Sequence, residues 1–450
     1  MSSKDNMNNI DIIDNKDDTE MIKIITETEE RAVLINVITP DSSESECLIS
    51  LNELERLADT AGIVSCARLY QNRTSPKPAT YIGKGKLEEA KSIIEANNIT
   101  LAIIDDELSP LQIRNIEDFL NIEVIDRTML ILEIFGQHAY TSDGKLQVEI
   151  ALLRYTMPRL TGKGKAMSRL GGGGGGSAGA RRGSGETKLE IERRNIKSRI
   201  AALEDDIKRL EVSRNVMRSR REKTGLVNIS IAGYTNSGKS TLLNYLTDSG
   251  VLAENKLFAT LDPTTRKLKL PNGTEVLLTD TVGLIRKLPH HLVRAFKSTL
   301  DEIKYADIIL LVADVSDAEC MTQIEVTKSL LIEMGITDKP IIIAYNKIDA
   351  VQTDKEDETG KSTKFSEDEV AISAKTGEGV DNLMLKIQEV LERLGKQAVF
   401  VFPVNGKEQG YINYLYKNAV VSDVDYSEEG ATVTAVVDEK TKNMYREYIR

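Results

Sequence analysis

The stretch GYTNSGKS, at residues 233–240, constrains the fold of this chain more than any other segment. It follows the apolar NISIA and precedes the amphipathic STLLNYLT, so it joins a strand to a helix as a phosphate-binding loop does. Glycines in such a loop let backbone N–H groups converge on phosphate oxygens, and the helix N-terminus adds its positive dipole end. Lys239 can place its charge on the β- and γ-phosphates, and the Ser240 hydroxyl can coordinate Mg²⁺. The motif therefore predicts a nucleotide-binding α/β domain.

Two downstream motifs stand at the ends of apolar strands in the same way. VLLTDTVG places Asp280 where an acid is expected just outside the direct ligands of Mg²⁺, and Gly283 where an N–H can sense the γ-phosphate. IIIAYNKID ends in Asn346, Lys347 and Asp349. A carboxylate at Asp349 accepts hydrogen bonds from guanine N1–H and the 2-amino group, whereas adenine offers neither donor. These motifs predict a site that selects GTP over ATP.

The segment AISAKTGEG completes the predicted base pocket. The N–H of Ala374 can reach guanine O6, while Ser373 and Lys375 brace the pocket. Four motifs in this order, each at a strand end, indicate a domain that resembles the translation-factor class of GTPases throughout its length.

The segment LFATLDPTTRK, residues 257–267, has two interpretations. It is either a polar loop or the segment in which a threonine closes over Mg²⁺ only while the γ-phosphate is present. Thr260, Thr264 and Thr265 are the candidate threonines.

Leu284 follows the DTVG segment directly, at the position where many GTPases carry a glutamine that orients the attacking water. An apolar side chain cannot hold a water molecule. His290 and His291 lie nearby in sequence, and we interpret them as part of the following helix start rather than as catalytic groups. The catalytic residue is therefore unknown. Either another group orients the water, or hydrolysis is slow until a partner completes the site, and slow intrinsic hydrolysis is our hypothesis.

The rest of the chain shows the same alternation of strand-like and helical segments. AVLINVIT, IVSCARLY, LAIIDDE and NIEVIDR are typical of strands that helices separate, which predicts a parallel sheet. We expect an α/β multidomain protein whose GTPase domain has a mostly parallel sheet with helices on both faces. The predicted parts are a disordered acidic tail at 1–30, an N-terminal α/β domain at 31–140, a helical hairpin at 141–224, the GTPase domain at 225–396 and a small C-terminal α+β domain at 397–450.

Two apolar seams flank the glycine-rich stretch RLGGGGGGSAGARRGSGE, residues 169–186. Their spacing predicts an antiparallel helical hairpin with the glycines in the loop at its tip. The first seam is Leu146, Ile150, Leu153 and Met157, and the second is Leu189, Ile196, Ile200, Leu203, Ile207, Leu210 and Met217.

The charge of the chain is segregated. Its net charge is −11, yet residues 151–224 carry 19 Lys or Arg against 8 Asp or Glu. A local basic segment of this kind suits a polyanion such as RNA whatever the net charge of the whole chain. We expect the hairpin tip to face RNA, and an idle flexible linker is the alternative. The basic residues of the predicted tip are Lys163, Lys165, Arg169, Arg181 and Arg182.

The cysteines and the chain start indicate a compartment. Cys47, Cys66 and Cys320 have no CxxC spacing, which argues against a zinc site or a disulfide framework and fits a reducing cytoplasm. The first twenty residues are acidic and polar, and no apolar run approaches the ~20 residues that span a bilayer. We expect a cytoplasmic protein without membrane insertion.

Two other segments partly resemble ligand-binding sites, one a dinucleotide-binding loop and the other a metal or nucleotide site. YIGKGKLEE has Glu88 where a dinucleotide-binding fingerprint needs its third glycine, so we interpret it as a tight turn into a helix. Asp105, Asp106 and Glu107 follow the strand LAII. We interpret them as solvated acids before a helix that starts at Ser109, with a metal or nucleotide site as the alternative.

Taken in order, the motifs resemble those of the HflX family, GTPases that associate with the large ribosomal subunit. The resemblance rests on TYIGKGKLEE, LQVEIALLRYTMPRLTGKG, GETKLEIERR, GYTNSGKSTLLN, LFATLDPTTR, TDTVGLIRKLPHHLVRAFKSTLDE and YNKID. It implies GTP hydrolysis with Mg²⁺ as cofactor, ligation of Mg²⁺ by Ser240 and Thr260, and a hairpin tip that approaches ribosomal RNA. The GTP-binding residues that it implies are Gly233, Tyr234, Thr235, Asn236, Ser237, Gly238, Lys239, Ser240, Thr241, Phe258, Ala259, Thr260, Leu261, Asp262, Asp280, Thr281, Val282, Gly283, Asn346, Lys347, Ile348, Asp349, Ser373, Ala374 and Lys375.

The resemblance leaves two functions open. In the first, the GTP-bound protein docks on the large (50S) subunit, and hydrolysis to GDP and phosphate releases it during ribosome splitting, rescue or biogenesis. In the second, the chain is a GTP-regulated RNA-binding assembly factor in which hydrolysis is incidental. We expect a monomer in either case, because a ribosome ligand acts one to one.

Overall fold

A computed structural model of the chain describes residues 30–160, 181–224, 226–247, 257–258, 263–287, 289, 292, 297–351, 366–394, 397–403, 407–427, 430–437 and 439–449. Contacts between residues divide the chain into two units, Met1–Leu130 and Ile131–Arg450. Within these described ranges, no helix is both long enough and apolar enough to cross a bilayer.

The first unit holds four parallel strands in the order β2-β1-β3-β4. Helices separate the strands along the chain, so the parallel α/β arrangement predicted for this part is confirmed. The strands are β1 (Arg31–Ile38), β2 (Val64–Asn72), β3 (Leu101–Ile104) and β4 (Glu123–Asp126), and the helices between them are α1 (Glu44–Ala61), α2 (Lys84–Asn97) and α3 (Pro110–Leu120).

Capping residues set the starts of two of these helices. At α1, the Ser43 hydroxyl accepts from the N–H of Glu46 at 3.2 Å, and the Glu46 carboxylate accepts from the N–H of Ser43 at 2.7 Å. Ser109 and Gln112 form the same reciprocal pair at α3. Pro110 takes the first helical position there, where a missing N–H costs nothing. The predicted helix start at Ser109 is therefore confirmed.

Three helices follow the first sheet: α4 (Arg127–His138), α5 (Ser142–Thr156) and α6 (Arg181–Thr224). The apolar seams meet between α5 and α6, where Ile150, Ile200 and Leu203 form a buried core. The flanking members of this core are Leu146, Leu153, Ile196 and Ile207.

Ion pairs between α5 and α6 show that the two helices are antiparallel. Asp143, at the start of α5, pairs with Arg214, whereas Glu149 and Arg154 farther along α5 pair with Arg199 and Glu204, which lie earlier in α6. The predicted hairpin is confirmed in its helices. Gly183 and Gly185, which the sequence places in the loop at the tip, instead lie in α6, because that helix already begins at Arg181. Once a helix is nucleated, each added residue gains one backbone hydrogen bond, which outweighs the ~1 kcal/mol that a glycine costs relative to alanine.

The second unit also contains a six-stranded sheet in the order β10-β9-β8-β5-β7-β6. Only the pairing of β6 with β7 is antiparallel, so the prediction of a mostly parallel sheet is confirmed. Its strands are β5 (Val227–Gly233), β6 (Thr264–Lys269), β7 (Glu275–Asp280), β8 (Ile308–Asp314), β9 (Ile341–Asn346) and β10 (Glu369–Ala371).

Helices cover both faces of this sheet, as predicted. Alternate strand residues point to opposite faces. On one face, Leu310 of β8 packs with residues of α7 (Lys239–Thr247) and α10 (Val380–Leu394). On the other, Ile309 packs with residues of α8 (Lys297–Lys304) and α9 (Cys320–Glu333). Burial on both faces explains why these strands are almost continuously apolar.

A small α+β domain follows, as predicted. Its antiparallel sheet has the order β11-β13-β12, and Phe400 and Phe402 of β11 pack against Tyr445. The elements are β11 (Gln397–Pro403), α11 (Glu408–Asn418), β12 (Val420–Ser427), β13 (Gly430–Val436) and α12 (Glu439–Met444).

Candidate nucleotide-binding site

The phosphate-binding loop lies between the end of β5 at Gly233 and the start of α7 at Lys239. Two of its residues have left-handed backbone angles, Asn236 at φ 59° and Gly238 at φ 94°. A Cβ added to Gly238 would lie 2.2 Å from Nδ2 of Asn346, so only glycine fits there. Among the described residues, the buried hydroxyls of Thr235 and Ser237 have no hydrogen-bond partner within the protein.

Lys239 is buried at the start of α7. Its Nζ donates to the carbonyl of Tyr234 at 2.7 Å and to that of Gly233 at 3.2 Å. Burial lowers the pKa of Lys239 to about 8, and the charge of nearby Asp280 acts in the opposite direction. A phosphate anion bound in the loop would favour the charged form of this buried amine.

Ser240 and Asp280 bring the first and second motifs together. The Ser240 hydroxyl donates to Oδ2 of Asp280 at 2.6 Å. Gly283 lies close by, since a Cβ added to it would be 3.1 Å from Nζ of Lys239. A hydroxyl and a carboxylate are hard oxygen ligands of the type that Mg²⁺ takes, so this pair fits the cation.

Asn346 connects the phosphate-binding loop to the predicted base pocket. Its Nδ2 donates to the carbonyl of Ser237 at 2.8 Å, and its Oδ1 accepts from the N–H of Ala374 at 2.8 Å. In the same pocket, the Ser373 hydroxyl donates to Oδ1 of Asp349 at 2.6 Å. Segments more than a hundred residues apart in sequence therefore meet at one side chain. The Ala374 N–H contacts Asn346 here, so its contact with guanine O6 stays a prediction.

Lys347 has an ionic partner that lies outside the four nucleotide motifs. Its Nζ lies 2.6 Å from Oδ2 of Asp314, the last residue of β8. The backbone of Lys347 is left-handed, at φ 69°, which turns the chain from β9 into the short 3₁₀ turn that contains Asp349. In the sequence, the position of Asp314 at the carboxyl end of an apolar strand was the feature that could have predicted this ion pair.

Leu284 points away from the site. Its backbone pairs with the phosphate-binding loop, because its N–H donates to Gly233 at 3.0 Å and its carbonyl accepts from Thr235 at 2.9 Å. The side chain is buried with Ala232 and Ile309 in the core beneath that loop. Tyr234 adds a further contact, since its hydroxyl accepts from the N–H of Arg286 at 2.8 Å.

The segment that contains the candidate threonines is described only at its two ends. Phe258 is buried, and its ring lies 4.7 Å from that of Phe135 of α4, with the planes at 83°. Thr264 and Thr265 are the first residues of β6, where the Thr265 hydroxyl lies 3.0 Å from that of Thr279. The predicted site residues Ala259, Thr260, Leu261 and Asp262 lie outside the described residues, as do His290 and His291.

The structure describes only two of the five predicted RNA-facing residues. Lys163, Lys165 and Arg169 lie outside the described residues, whereas Arg181 and Arg182 are the first residues of α6.

The interpretation of Asp105 as a solvated acid is wrong. Its carboxylate is fully buried and accepts from Arg127 at 2.8 Å, Ser50 at 2.5 Å and Asn36 at 2.9 Å. Arg127 is also paired with Glu53. The basic and hydroxyl partners come from distant segments, so the local sequence could not show them. No group of three acidic, histidine or cysteine side chains in the described part of the chain is arranged to hold a metal ion.

Comparison with family models covers almost the whole chain. Four models match in order: GTP-binding GTPase N-terminal at residues 49–136, GTP-binding GTPase Middle Region at 138–221, 50S ribosome-binding GTPase at 228–347 and HflX C-terminal domain at 359–446.

Full-length relatives match over the same extent. The chain is 48% identical to the GTPase HflX of Lacrimispora saccharolytica, over 93% of this chain and 96% of that one. It is 45% identical to the GTPase HflX of Caldanaerobacter subterraneus, over 93% and 94%, and 36% identical to that of Escherichia coli, over 91% and 93%. A solved GTP-binding protein from Sulfolobus solfataricus in complex with GDP is 26% identical over 80% of this chain and 98% of that one, with a TM-score of 0.41.

Proposed function

Because the chain belongs to the HflX family of GTPases, we propose that it binds the large (50S) ribosomal subunit in its GTP-bound state and hydrolyses GTP to GDP and phosphate. The observation that carries the nucleotide site is the double contact of Asn346, which joins the phosphate-binding loop at Ser237 to the base pocket at Ala374. These contacts support a single guanine-nucleotide pocket made from the two segments.

In this proposal the phosphates lie along the loop from Gly233 to Thr241. The unpartnered hydroxyls of Thr235 and Ser237 and the buried ammonium group of Lys239 support this placement, because buried polar groups are stable only with partners. The guanine base lies against Asn346 and Lys347, and Asp349 accepts from N1–H and the 2-amino group. The Ser373 hydroxyl, 2.6 Å from the Asp349 carboxylate, orients that acceptor.

Mg²⁺ is the proposed cofactor. Ser240 and Thr260 would ligate it, with Asp280 just outside the direct ligands, and the contact of Ser240 with Asp280 supports this set. The cation would neutralise the charge that develops on the β- and γ-phosphate oxygens. The residues of this chain hold the nucleotide and orient the Mg²⁺ ligands.

Hydrolysis is proposed to be slow in the isolated protein. Leu284 occupies the position of the usual water-orienting glutamine, and its side chain is 2% exposed beneath the phosphate-binding loop. Its apolar side chain offers no hydrogen-bonding group that could orient an attacking water. The ribosome-bound state would supply or position the missing group, which would couple hydrolysis to release.

The hairpin is proposed to make the ribosomal contact. Its basic segment would approach ribosomal RNA with Arg181, Arg182, Lys163 and Lys165, since arginine can pair with phosphates or stack on bases. We infer that the protein acts as a cytoplasmic monomer, in ribosome splitting, rescue or biogenesis.

Cosedimentation with purified 50S subunits tests this function. We expect wild-type protein to bind at least about tenfold more tightly with a non-hydrolysable GTP analogue than with GDP, a differential affinity of ~1.4 kcal/mol between the two states. Charge reversal at the tip, Arg181→Glu with Arg182→Glu, should weaken that binding by about tenfold or more while leaving GTP affinity intact.

The matched control is Arg193→Glu with Arg194→Glu, the same charge change at exposed positions about 18 Å along α6. It should bind subunits more tightly than the tip variant. Equal binding with both nucleotides would favour the GTP-regulated RNA-binding assembly factor instead. Absence of binding would contradict both ribosomal functions.

A further inference from the structure

We propose that Tyr245 is a positioning residue that holds the base pocket against the phosphate-loop helix and thereby slows the release of bound nucleotide. The part of the pocket concerned is the guanine loop, residues 373–378. This inference rests on the nucleotide site proposed above and adds a residue that none of the four nucleotide motifs contains.

Tyr245 lies on α7, the helix whose first turn contains Lys239 and Ser240. The hydroxyl end of its side chain lies against Gly377 in the guanine loop. A Cβ added to Gly377 would lie 1.9 Å from Oη of Tyr245 and 2.5 Å from its Cζ. The side chain is 50% exposed, so it does not belong to the core. Because the side chain is half exposed and lies against Gly377, we infer that its role is to hold the guanine loop in place.

The guanine loop is a compact turn that transmits this contact. The N–H of Gly377 donates to the carbonyl of Ser373 at 2.8 Å, and the N–H of Ser373 donates to the carbonyl of Glu378 at 2.8 Å. Gly377 is left-handed, at φ 88°, which lets the turn close without a side chain on the face that meets Tyr245. A displacement of Gly377 therefore displaces Ser373.

Ser373 passes the constraint to the base-selecting carboxylate. Its hydroxyl donates to Asp349 at 2.6 Å and accepts from the N–H of Thr376 at 3.1 Å. Asn346 is one link between the phosphate-binding loop and the guanine loop, and Tyr245 is a second. A nucleotide held at both ends leaves when these two parts separate. Each contact that must break before the two parts separate lowers the dissociation rate of the nucleotide.

The test measures the dissociation of fluorescent mant-GDP from the full-length protein by stopped flow, with excess unlabelled GDP. Tyr245→Ala should release mant-GDP about fivefold faster, an effect in the range of measured contact energies, with a smaller change in the association rate. Tyr245→Phe loses Oη, the atom nearest Gly377, but keeps Cζ and Cε2, so release should accelerate less than in Tyr245→Ala.

Gly377→Ala examines the same contact from the other side. The added methyl collides with the Tyr245 ring and strains the left-handed backbone, so release should accelerate. In the Tyr245→Ala background the collision is absent and only the strain remains, so the same substitution should have a smaller effect. A double variant whose release rate is the simple product of the two single effects would overturn the contact as the cause.

The experiment distinguishes failure of the Tyr245 role from failure of the nucleotide site. Wild-type protein that binds mant-GDP while Tyr245→Ala releases it at the wild-type rate overturns the role of Tyr245 alone. Wild-type protein that does not bind mant-GDP overturns the guanine-nucleotide site and the role of Tyr245 with it.

Discussion

At the scale of single residues, the backbone hydrogen bonds of Leu284 determine where its side chain lies. Two hydrogen bonds to the phosphate-binding loop hold its main chain, and the side chain enters the core beside Ala232. The identity of residue 284 is visible in the sequence, but its direction depends on pairing with a loop some fifty positions earlier.

Leu284→Gln should not accelerate hydrolysis. The amide would be buried without a partner and would cost about 2–3 kcal/mol of stability, because a buried polar group loses its bonds to water. Single-turnover GTP hydrolysis and urea unfolding measure the two effects.

Leu284→Met is the matched control, since it keeps the volume and the apolar character, and it should cost less than about 1.5 kcal/mol. Faster hydrolysis in Leu284→Gln at unchanged stability would show that this side chain reaches the nucleotide.

Asp349 and Asp105 show what can be predicted about single residues. Asp349 stands in a motif whose spacing predicts its role, and the structure places it within reach of Ser373 from another motif. Asp105 stands in a plain acidic cluster, yet its partners Asn36, Ser50 and Arg127 come from other segments. Local sequence predicts the role of a residue when that residue belongs to a known motif. It does not predict the role when the contacts come from distant segments.

At the scale of elements, the hairpin seam was predictable because helical periodicity is a local property. Ile150, Ile200 and Leu203 of the predicted seams do form the buried contact. The start of α6 at Arg181 was not predictable, since glycines argue for a loop while the helix continues through them. The order of strands within each sheet was equally inaccessible, because strand pairing is not local.

Leu203→Ala should loosen the hairpin. Leu203 is 1% exposed between α5 and α6, so its truncation should cost about 2–4 kcal/mol and raise hydrogen exchange in both helices. Exchange monitored by mass spectrometry resolves the change.

Val212→Ala on the same helix is the control, because Val212 is 65% exposed and should change exchange little. Similar exchange in the two variants would mean that α5 and α6 do not pack through this seam in solution.

At the scale of the whole molecule, the two units have separate hydrophobic cores. The first core includes Val33 and Ile104, and that of the six-stranded sheet includes Ile231 and Leu310. We expect two unfolding transitions in calorimetry. GDP should raise only the transition of the unit with the nucleotide site, because a ligand stabilises the fold that binds it.

Arg127→Met should lower the transition that GDP does not shift. Arg127 is 2% exposed between Asp105 and Glu53, and its loss would remove the cation that pairs with the buried Asp105 carboxylate and the partly buried Glu53 carboxylate. The expected cost is about 3–5 kcal/mol.

Arg68→Met removes an ion pair to Glu55 in the same unit, with both side chains more than a third exposed, and should cost at most about 1 kcal/mol. A shift of the GDP-sensitive transition by Arg127→Met would contradict independent unfolding.

The length of α6 has a mechanical consequence. Its 44 residues make a rod of about 66 Å. Only two residues separate its end at Thr224 from β5, the strand that ends in the phosphate-binding loop at Gly233. A tilt of about 5° at Thr224 swings the far end of a rod this long through about 6 Å, roughly the pitch of one helical turn. A small change of helix angle at Thr224 would therefore produce a large displacement at the far end of α6.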